Sequence, residues 1–291
     1  MISILIPCFN YNAYPLVSKL EKQALILKIN FEIICIDDGS FSSKNEVNQK
    51  INLLTNAKFI ESKKNIGRIK NRILLAEKSQ YDNLLYIDVD TIPSSDENFL
   101  KKYITHLKKD AIIFGGCIYK KPENTKSSLR YKFGKFREEV SASKRNRKPY
   151  KYISSSNFLC KRDYLLSCLK KIQTTSYGND YLFASILKSE KIDVKHIDNQ
   201  VIVDNIDEND EFIEKTEQAL ENLLYCYKTK LINKHSISIL KFYTILNRFF
   251  LKKIFIKMTD IIMNIIIGNL KKQNPNLFLF DLYRLRYLCK L

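Results

Sequence analysis

Two carboxylates separated by a single residue, Asp88 and Asp90, come directly after the apolar run at 84–87. Side chains at positions i and i+2 of a strand point to the same side, so both carboxylates are expected together at the end of one strand. Oxygen ligands of this kind suit Mg²⁺ or Mn²⁺, which complete their coordination with water and substrate phosphates. The spacing therefore predicts a divalent-metal site, and the alternative is two solvated acids in a turn.

Two further polar segments suit a nucleotide. Asp37-Asp38-Gly39-Ser40 follows the apolar run at 31–36, and an aspartate there can accept a hydrogen bond from the N–H of a pyrimidine base. The alternative is an ordinary Asp-Gly turn. Asn65-Ile66-Gly67-Arg68 opens a predicted helix. Backbone N–H groups at a helix start, together with Arg68, suit a diphosphate, and the alternative is a basic, solvated helix face.

The elements that must position these residues alternate along the chain. Short apolar runs lie at 2–6, 31–36, 84–87, 111–114 and 194–203, and helix-like stretches lie at 14–27, 44–54 and 67–79. This alternation predicts an α/β fold with a doubly wound, mostly parallel sheet. Ligands bind such sheets at the carboxyl ends of the strands, where residues 7–10 and both acidic segments fall. Further helices are expected at 126–143 and 207–230.

Size and composition narrow the class of protein. The chain has 291 residues, 45% of them hydrophobic and 27% charged, which is typical of a globular protein. The first seven residues lack a basic region ahead of their apolar run, so no signal peptide is expected. The seven cysteines are scattered without a C-x-x-C pair. This pattern favours reduced core thiols in a cytosolic compartment and argues against a zinc site.

Positive charge is concentrated in the last quarter of the chain. The net charge is +18, and residues 226–291 carry 13 Lys and Arg against 2 Asp. Such a tail suggests an anionic partner, either a membrane surface or nucleic acid. Its most apolar part, 254–270, is interrupted by Lys257, Asp260 and Asn264, so it falls short of the roughly 20 apolar residues that span a bilayer. We expect a surface-lying helix, and the alternative is a helical subdomain packed on the core.

Taken together, the polar segments resemble those of family 2 glycosyltransferases with the GT-A fold. The resemblance rests on Ser3-Ile4-Leu5-Ile6-Pro7-Cys8-Phe9-Asn10, Ile36-Asp37-Asp38-Gly39-Ser40, Asn65-Ile66-Gly67-Arg68 and Tyr86-Ile87-Asp88-Val89-Asp90. Segments at 115–119, 129–134, 155–159, 196–199 and 215–217 are similar to a bacterial branch that makes surface polysaccharides. The resemblance implies a GT-A domain over 1–230, followed by a basic amphipathic helical subdomain over 231–291.

The resemblance also implies a role for each matched residue. The nucleotide-sugar would contact ten residues, namely Pro7, Asn10, Tyr11, Asp37, Asp38, Gly39, Asn65, Gly67, Arg68 and Asp88. The metal, Mn²⁺ or Mg²⁺, would be held by Asp88 and Asp90, with Asp90 as the more direct ligand. It would bridge the donor diphosphate and neutralise the leaving nucleoside diphosphate.

Two departures from the family pattern concern catalysis. Inverting members carry an acidic pair, often Glu-Asp, where this chain has Asn179-Asp180. Asp180 is implied as the general base that takes the proton of the acceptor hydroxyl, and the alternative is a helix N-cap. Related proteins often place a histidine shortly after the segment at 196–199, where it would join the metal shell. This chain has none there, and Asp204 is a possible substitute.

The sequence thus predicts a metal-dependent, inverting glycosyltransferase that uses a nucleotide-sugar, with a UDP-sugar favoured. The acceptor would be a hydroxyl of a surface glycan or a lipid-linked acceptor, and no nucleic acid is expected. The location would be cytoplasmic, peripheral on the inner face of the membrane through the tail. Two alternatives stay open: a haloacid-dehalogenase-like phosphatase that uses Asp88 and Asp90, and a basic nucleic-acid-binding protein.

Overall fold

The computed structural model describes residues 1–94, 98–109, 111–122, 126–172, 177–203, 206–232 and 237–291. The chain divides into two compact units that interleave along the sequence. Unit 1 comprises Met1–Ile118, Val140–Thr175 and Leu187–Asp204, and unit 2 comprises Tyr119–Glu139, Ser176–Ile186 and Asn205–Leu291. The predicted domain boundary after residue 230 stays a prediction.

Strands and helices follow each other in chain order. The strands are β1 Ile2–Cys8, β2 Phe31–Asp37, β3 Ala57–Glu61, β4 Asn83–Ile87, β5 Thr91–Pro93, β6 Ile112–Phe114, β7 Cys117–Tyr119, β8 Asn157–Lys161, β9 Val194–His196 and β10 Val201–Val203. The helices are α1 Tyr14–Ile26, α2 Lys44–Asn48, α3 Arg68–Lys78, α4 Phe99–Ile104, α5 Ser128–Phe133, α6 Ala142–Asn146, α7 Arg162–Leu169, α8 Asp180–Ser189, α9 Asn209–Lys228, α10 Ser238–Arg248, α11 Lys252–Ile261, α12 Met263–Leu270 and α13 Leu277–Lys290.

Unit 1 is built on one sheet with the strand order β3-β2-β1-β4-β8-β6-β9. The first four strands in this order are parallel, whereas β8 runs antiparallel to both of its neighbours. From β1 the chain proceeds outward to β2 and β3 and then returns to β4 on the other side of β1. The strand order therefore reverses between β1 and β4, and ligands of open α/β sheets bind beside such a point, at the carboxyl ends of the strands. The predicted mostly parallel α/β sheet is confirmed.

Apolar residues account for the burial of the central strands. The apolar side chains of β1, β2 and β4 are buried almost completely, as expected for parallel strands covered on both faces. The rings of Tyr86 on β4 and Phe158 on β8 stack with centroids 5.2 Å apart. All seven cysteines are buried and free, as predicted for small core residues.

Two predicted elements differ from the observed ones in unit 1. The apolar run at 194–203 forms two strands: β9 pairs with β6 in the main sheet, and β10 pairs with β5 in a second, three-stranded sheet. The break coincides with Asp198 and Asn199, whose side chains hydrogen-bond to Ala142 N and Phe99 O. The predicted helix at 44–54 is α2, continued by a 3₁₀ turn at Gln49–Leu53.

Unit 2 is helical. Its core contains Leu129 of α5, Phe212 of α9, Ile266 and Leu270 of α12, and Phe280 of α13. The sequence predicts a single helix at 126–143. The structure has α5, then a π-helical turn at Gly134–Glu138, and then the start of α6, which belongs to unit 1. The predicted surface helix at 254–270 is two helices, α11 and α12, that meet at residue 262. Within the described ranges, no helix has the length and apolar content needed to cross a bilayer.

Candidate active site

The candidate site begins where the parallel strands of unit 1 end. In the register between β1 and β2, Cys8 lies opposite Asp37, and Asp38 N donates to Cys8 O at 2.9 Å. The segments after β1 and β2 therefore leave the sheet side by side. Residues 88–90 follow β4, which lies on the other side of β1. The fold thus brings the three predicted strand-end segments to one edge of the sheet.

Asp37 and Asp38 shape this edge by accepting hydrogen bonds from the backbone. The carboxylate of Asp37, a residue only 1% exposed, accepts from Ser40 N at 2.8 Å and from Ser40 Oγ at 2.6 Å. The carboxylate of Asp38 accepts from Ile66 N and Gly67 N, both at 2.9 Å. Asp37 thus closes its own turn, while Asp38 ties that turn to the start of α3. Their contact with a nucleotide base stays a prediction.

Gly39 and Gly67 are both required by backbone geometry. Gly39 has φ +67°, and a Cβ atom placed on it would lie 2.4 Å from the carbonyl carbon of Lys64 and 2.6 Å from Asn65 N. Gly67, which precedes α3, has φ +89°. Positive φ and close backbone approach are conditions that glycine meets without steric cost. The turn after β2 and the loop at 64–67 can therefore pack against each other only with these glycines.

The loop after β1 is held from two sides. Asn10 is exposed and adopts φ +51°; its Oδ1 accepts from Ser42 Oγ at 2.8 Å, and its carbonyl accepts from Lys44 Nζ at 2.9 Å. The carbonyl of Tyr11 accepts from Asn48 Nδ2 at 2.9 Å. Pro7 and Tyr11 are half-buried. These contacts fix the loop that borders the predicted nucleotide pocket.

One aromatic side chain at this edge was missed by the sequence analysis. Phe9 directly follows β1 and is 55% exposed, although five of the seven phenylalanines of unit 1 are buried. An exposed ring beside the Asp38 turn can stack on a planar base, an interaction that tolerates any base because each has a π face. The signal available in the sequence was a large apolar residue placed after the strand had ended.

Asp88 is engaged by two arginines of α3. Its Oδ2 accepts from Arg68 at 2.9 Å, and its Oδ1 accepts from Arg72. Arg72 also donates to Ser155 O at 2.9 Å and lies over the ring of Tyr86, 5.5 Å from its centroid. The side chain of Arg72 is 2% exposed, whereas that of Arg68 is 54% exposed. Arg72 is therefore an internal support for Asp88 that the sequence analysis did not identify, and Arg68 is the outer partner.

The pair Asp88 and Asp90 does not lie in a strand. Strand β4 ends at Ile87, and Thr91 donates to Asp88 O through its N at 3.2 Å and its Oγ1 at 2.7 Å. The two acids therefore flank a turn. The prediction that their side chains point to the same side depended on strand geometry, which does not apply to them. Asp90 is half-buried. The described residues contain no group of three or more His, Cys, Asp or Glu side chains arranged for a metal, and Asp204 lies outside the described residues.

The predicted general base lies at the start of a helix in unit 2. Asp180 is the first residue of α8, where the helix dipole favours a carboxylate. Asn222 of α9 fixes the preceding turn, because its Nδ2 donates to Tyr177 O at 3.1 Å and to Asn179 Oδ1 at 3.0 Å. Gly178 adopts φ +86°, and a Cβ atom there would lie 2.7 Å from that of Ala219. Asn179, which stands where family members often have glutamate, thus anchors the turn that carries Asp180.

The segment at 196–199 has an internal structural role in unit 1. His196 Nδ1 accepts from Arg145 at 2.9 Å, and because arginine only donates, the ring proton resides on Nε2, which donates to Pro149 O at 2.8 Å. Burial lowers the pKa of His196 to about 4; the hydrogen bond to Pro149 opposes this shift, and the charge of Arg145 adds to it. His196 is therefore neutral near pH 7 and holds residues 145–149 against β9.

Comparison with known proteins decides the family. The sequence matches the family model described as Glycosyl transferase family 2 over residues 3–169, more than half of the chain. The chain belongs to glycosyl transferase family 2. This match confirms the resemblance seen in the sequence, and it supports neither the phosphatase nor the nucleic-acid-binding alternative. Among curated proteins, none matches the chain.

Solved structures show that this family 2 chain has a GT-A-like fold. Residues 1–349 of S. aureus TarS with UDP-GlcNAc align with a TM-score of 0.50 and 16% identity, covering 77% of this chain and 66% of that one. The mannosyltransferase PcManGT from Pyrobaculum calidifontis, with GDP-Man and Mn²⁺, aligns with a TM-score of 0.50 and 13% identity, covering 78% of this chain and 64% of that one. Glucosyl-3-phosphoglycerate synthase from Mycobacterium tuberculosis, with Mn²⁺, UDP and glucosyl-3-phosphoglycerate, aligns with a TM-score of 0.50 and 13% identity. The alignment covers 77% of this chain and 79% of that one.

The chain spans about two thirds of the TarS 1–349 structures and 39% of the longer TarS structure. At identities of 13–17%, these likenesses concern the fold.

Proposed function

We propose that this family 2 chain is a metal-dependent, inverting glycosyltransferase whose donor is a nucleotide-sugar, with a UDP-sugar favoured. The observation that carries the proposal is the edge of unit 1 at the point where the strand order reverses. There the Asp38 turn, the start of α3 and the carboxylate of Asp88 lie together. Complexes of TarS with UDP-GlcNAc and of the mycobacterial synthase with UDP support the choice of a uridine nucleotide.

Two parts of the donor, the base and the diphosphate, have matching groups at this edge. Phe9 stacks on the base, and the turn at Asp38 and Gly39 borders it. The N–H groups at the start of α3 and the guanidinium of Arg68 bind the diphosphate, because both supply hydrogen-bond donors that suit an anion. Arg68 is well placed to move between Asp88 and a phosphate, since its side chain is 54% exposed.

The two acids of the turn after β4 have different tasks in this proposal. Both oxygens of Asp88 already accept from guanidinium groups, so Asp88 holds the arginines in place and contributes negative charge to the metal site. Asp90 is the more direct ligand for Mn²⁺ or Mg²⁺, whose chemistry when bound is to neutralise the charge that develops on the leaving diphosphate. Carboxylate oxygens are the donors that these cations prefer, and Asp90 supplies a carboxylate of this kind in the turn after β4.

Asp180 is the proposed general base. It takes the proton from the acceptor hydroxyl while that oxygen attacks the anomeric carbon from the face opposite the leaving diphosphate, which inverts the configuration. The proposed acceptor is a hydroxyl of a surface glycan or of a lipid-linked glycan. The proposed location is cytoplasmic, on the inner face of the membrane.

The test combines transfer with donor binding. UDP release from UDP-sugars would be measured with Mn²⁺ and with extracted lipid-linked glycans as acceptors, and UDP affinity would be measured by calorimetry. Asp180→Asn is expected to abolish acceptor-stimulated UDP release and to leave UDP affinity unchanged. Asp163→Asn is the matched control, because Asp163 is an exposed acid in the first turn of α7. Unchanged UDP release by Asp180→Asn would remove Asp180 from the mechanism.

A further inference from the structure

Three consecutive helices of unit 2 leave many large apolar side chains exposed. We call this set the α10–α12 face; its members are Phe242, Ile245, Phe249, Phe250, Leu251, Ile254, Met258, Ile261 and Ile265. The same helices bury other residues, such as Leu240 and Tyr243 of α10 and Ile266 and Leu270 of α12. Each helix is therefore packed on its inner side and still apolar on its outer side. Exposed apolar residues in such number mark a surface that binds a partner.

The spacing of the exposed residues is helical. Phe242, Ile245 and Phe249 are three and four residues apart. The exposed apolar residues of α11, which are Ile254, Met258 and Ile261, have the same spacing. Residues at these intervals lie on one side of a helix. The outer side of each helix therefore presents an apolar stripe, as in helices that lie in the plane of a membrane interface.

The turn between α10 and α11 carries the most exposed residue of this face. It consists of Phe249, Phe250 and Leu251, and Phe250 is 89% exposed with φ +57°. Leu251 N donates to Leu246 O at 2.8 Å, which closes the turn. A positive φ is uncommon for a bulky residue. The backbone thus holds an aromatic ring outward in a defined turn.

Cations surround the apolar stripes. Lys241, Arg248, Lys253 and Lys257 are exposed. Between residues 237 and 270 the sequence contains one acid, Asp260, and Asp260 accepts from Arg286 Nε at 2.8 Å. The net charge around the face is therefore positive. Lysine and arginine carry long apolar stems that lie along an apolar surface while the charged ends reach the phosphates of lipid headgroups.

We propose that the α10–α12 face binds the surface of an anionic lipid bilayer, with the turn at 249–251 inserted among the headgroups. Charge complementarity favours this occupant over a second copy of the chain, because a symmetric dimer would bring two identical positive faces together. The inference gives the proposed membrane location a defined surface and a lipid chemistry. Lipid binding needs neither nucleotide nor acceptor, so its test succeeds or fails independently of the proposed transferase activity.

The absence of tryptophan from the sequence permits a site-specific optical test. Phe250→Trp would place a single indole at the tip of the turn, and Leu53→Trp is the control, because Leu53 is 85% exposed in unit 1. Vesicles of phosphatidylcholine alone would be compared with vesicles that also contain phosphatidylglycerol. The emission of Phe250→Trp is expected to shift to the blue, and to be quenched by brominated lipid, with the anionic vesicles only. The emission of Leu53→Trp is expected to stay unchanged.

Charge variants test the second part of the proposal in a vesicle co-sedimentation assay. Lys241→Gln, Lys253→Gln and Lys257→Gln, combined in one protein, are expected to weaken binding to anionic vesicles on the order of a hundredfold, because each cation near such a surface contributes about 1 kcal/mol. The control combines Lys50→Gln and Lys78→Gln, two exposed lysines of unit 1, and is expected to bind like the wild type.

Three outcomes would overturn the proposal. The first is equal binding to neutral and anionic vesicles, and the second is an unshifted emission of Phe250→Trp in the bound state. The third is a blue shift that appears without vesicles and grows with protein concentration, which would assign the face to contact between copies of the chain.

Discussion

Replacement of Arg72 and replacement of Arg68 should have different effects, because Arg72 supports the structure of the site and Arg68 binds the donor. Arg72 and Arg68 lie one helical turn apart on α3 and both donate to Asp88, but their exposures are 2% and 54%. Arg72 additionally donates to Ser155 O. We therefore expect Arg72→Met to reduce stability and Arg68→Met to reduce donor affinity.

The expected losses of stability follow from how deeply each arginine side chain is buried. Removal of one partner from a buried ion pair costs about 3–5 kcal/mol. Asp88 would keep Arg68 and is itself 16% exposed, so the lower end, about 3 kcal/mol, applies to Arg72→Met. For a protein of this size that corresponds to a fall in Tm of roughly 6–12 °C. Arg68→Met breaks an exposed contact and should cost less than about 1 kcal/mol, but the loss of a charged donor to phosphate should weaken UDP binding roughly ten- to hundredfold.

Urea denaturation and calorimetric titration with UDP would measure these two quantities for each variant. Arg72→Lys is an informative intermediate, because it retains the charge but lacks the planar fork that reaches two acceptors. It should therefore lose less stability than Arg72→Met. The reasoning would be refuted if Arg72→Met and Arg68→Met lowered the free energy of unfolding equally. It would also be refuted if Arg68→Met left UDP affinity unchanged.

Three further predictions concern other parts of the chain. Gly39→Ala should destabilise unit 1 by about 2 kcal/mol or more, measured by urea denaturation, because the added Cβ would meet the 64–65 backbone at a positive φ; a cost near zero would contradict the geometry. Asn222→Ala should lower turnover roughly ten- to hundredfold at unchanged UDP affinity, because it releases the turn before Asp180; unchanged turnover would contradict this. The pKa of His196 is lower in the folded state than in the unfolded chain, so the unfolded state binds more protons. The free energy of unfolding should therefore fall by up to about 3 kcal/mol as the pH drops from about 6.5 to about 4. His196→Gln should flatten that part of the profile of stability against pH, and a profile identical to that of the wild type would contradict this prediction.

The fold and the location of the site could be predicted from local features of the sequence. Apolar runs of strand length alternate with amphipathic helical stretches, and this pattern is set by residues that are close in the chain. The segments at 7–10, 37–40 and 88–90 were placed at strand ends because each one follows an apolar run directly. The parallel strands then bring those ends to one edge, which is why residues far apart in sequence, such as Asp38 and Asp88, were expected at the same edge.

Contacts made by tertiary structure could not be predicted in the same way. Arg72 looked like one more cation of a basic helix, and only the fold brings Asp88 and Ser155 to it. The sequence did contain one clue, since Arg68 and Arg72 are four residues apart and therefore share a helix face. The run at 194–203 looked continuous because its two strands are both apolar, while the break depends on distant partners of Asp198 and Asn199.

Nucleotide binding tests the central claim most directly. Thermal unfolding would be followed with UDP, GDP, dTDP and CMP, each with and without Mn²⁺. We predict that UDP with Mn²⁺ raises Tm most; at a concentration 100 times Kd, the stabilisation should be about 2.7 kcal/mol. Asp90→Asn should remove the dependence on Mn²⁺. If no nucleotide raises Tm, with or without Mn²⁺, the edge of unit 1 is not a nucleotide-sugar site and the account is contradicted.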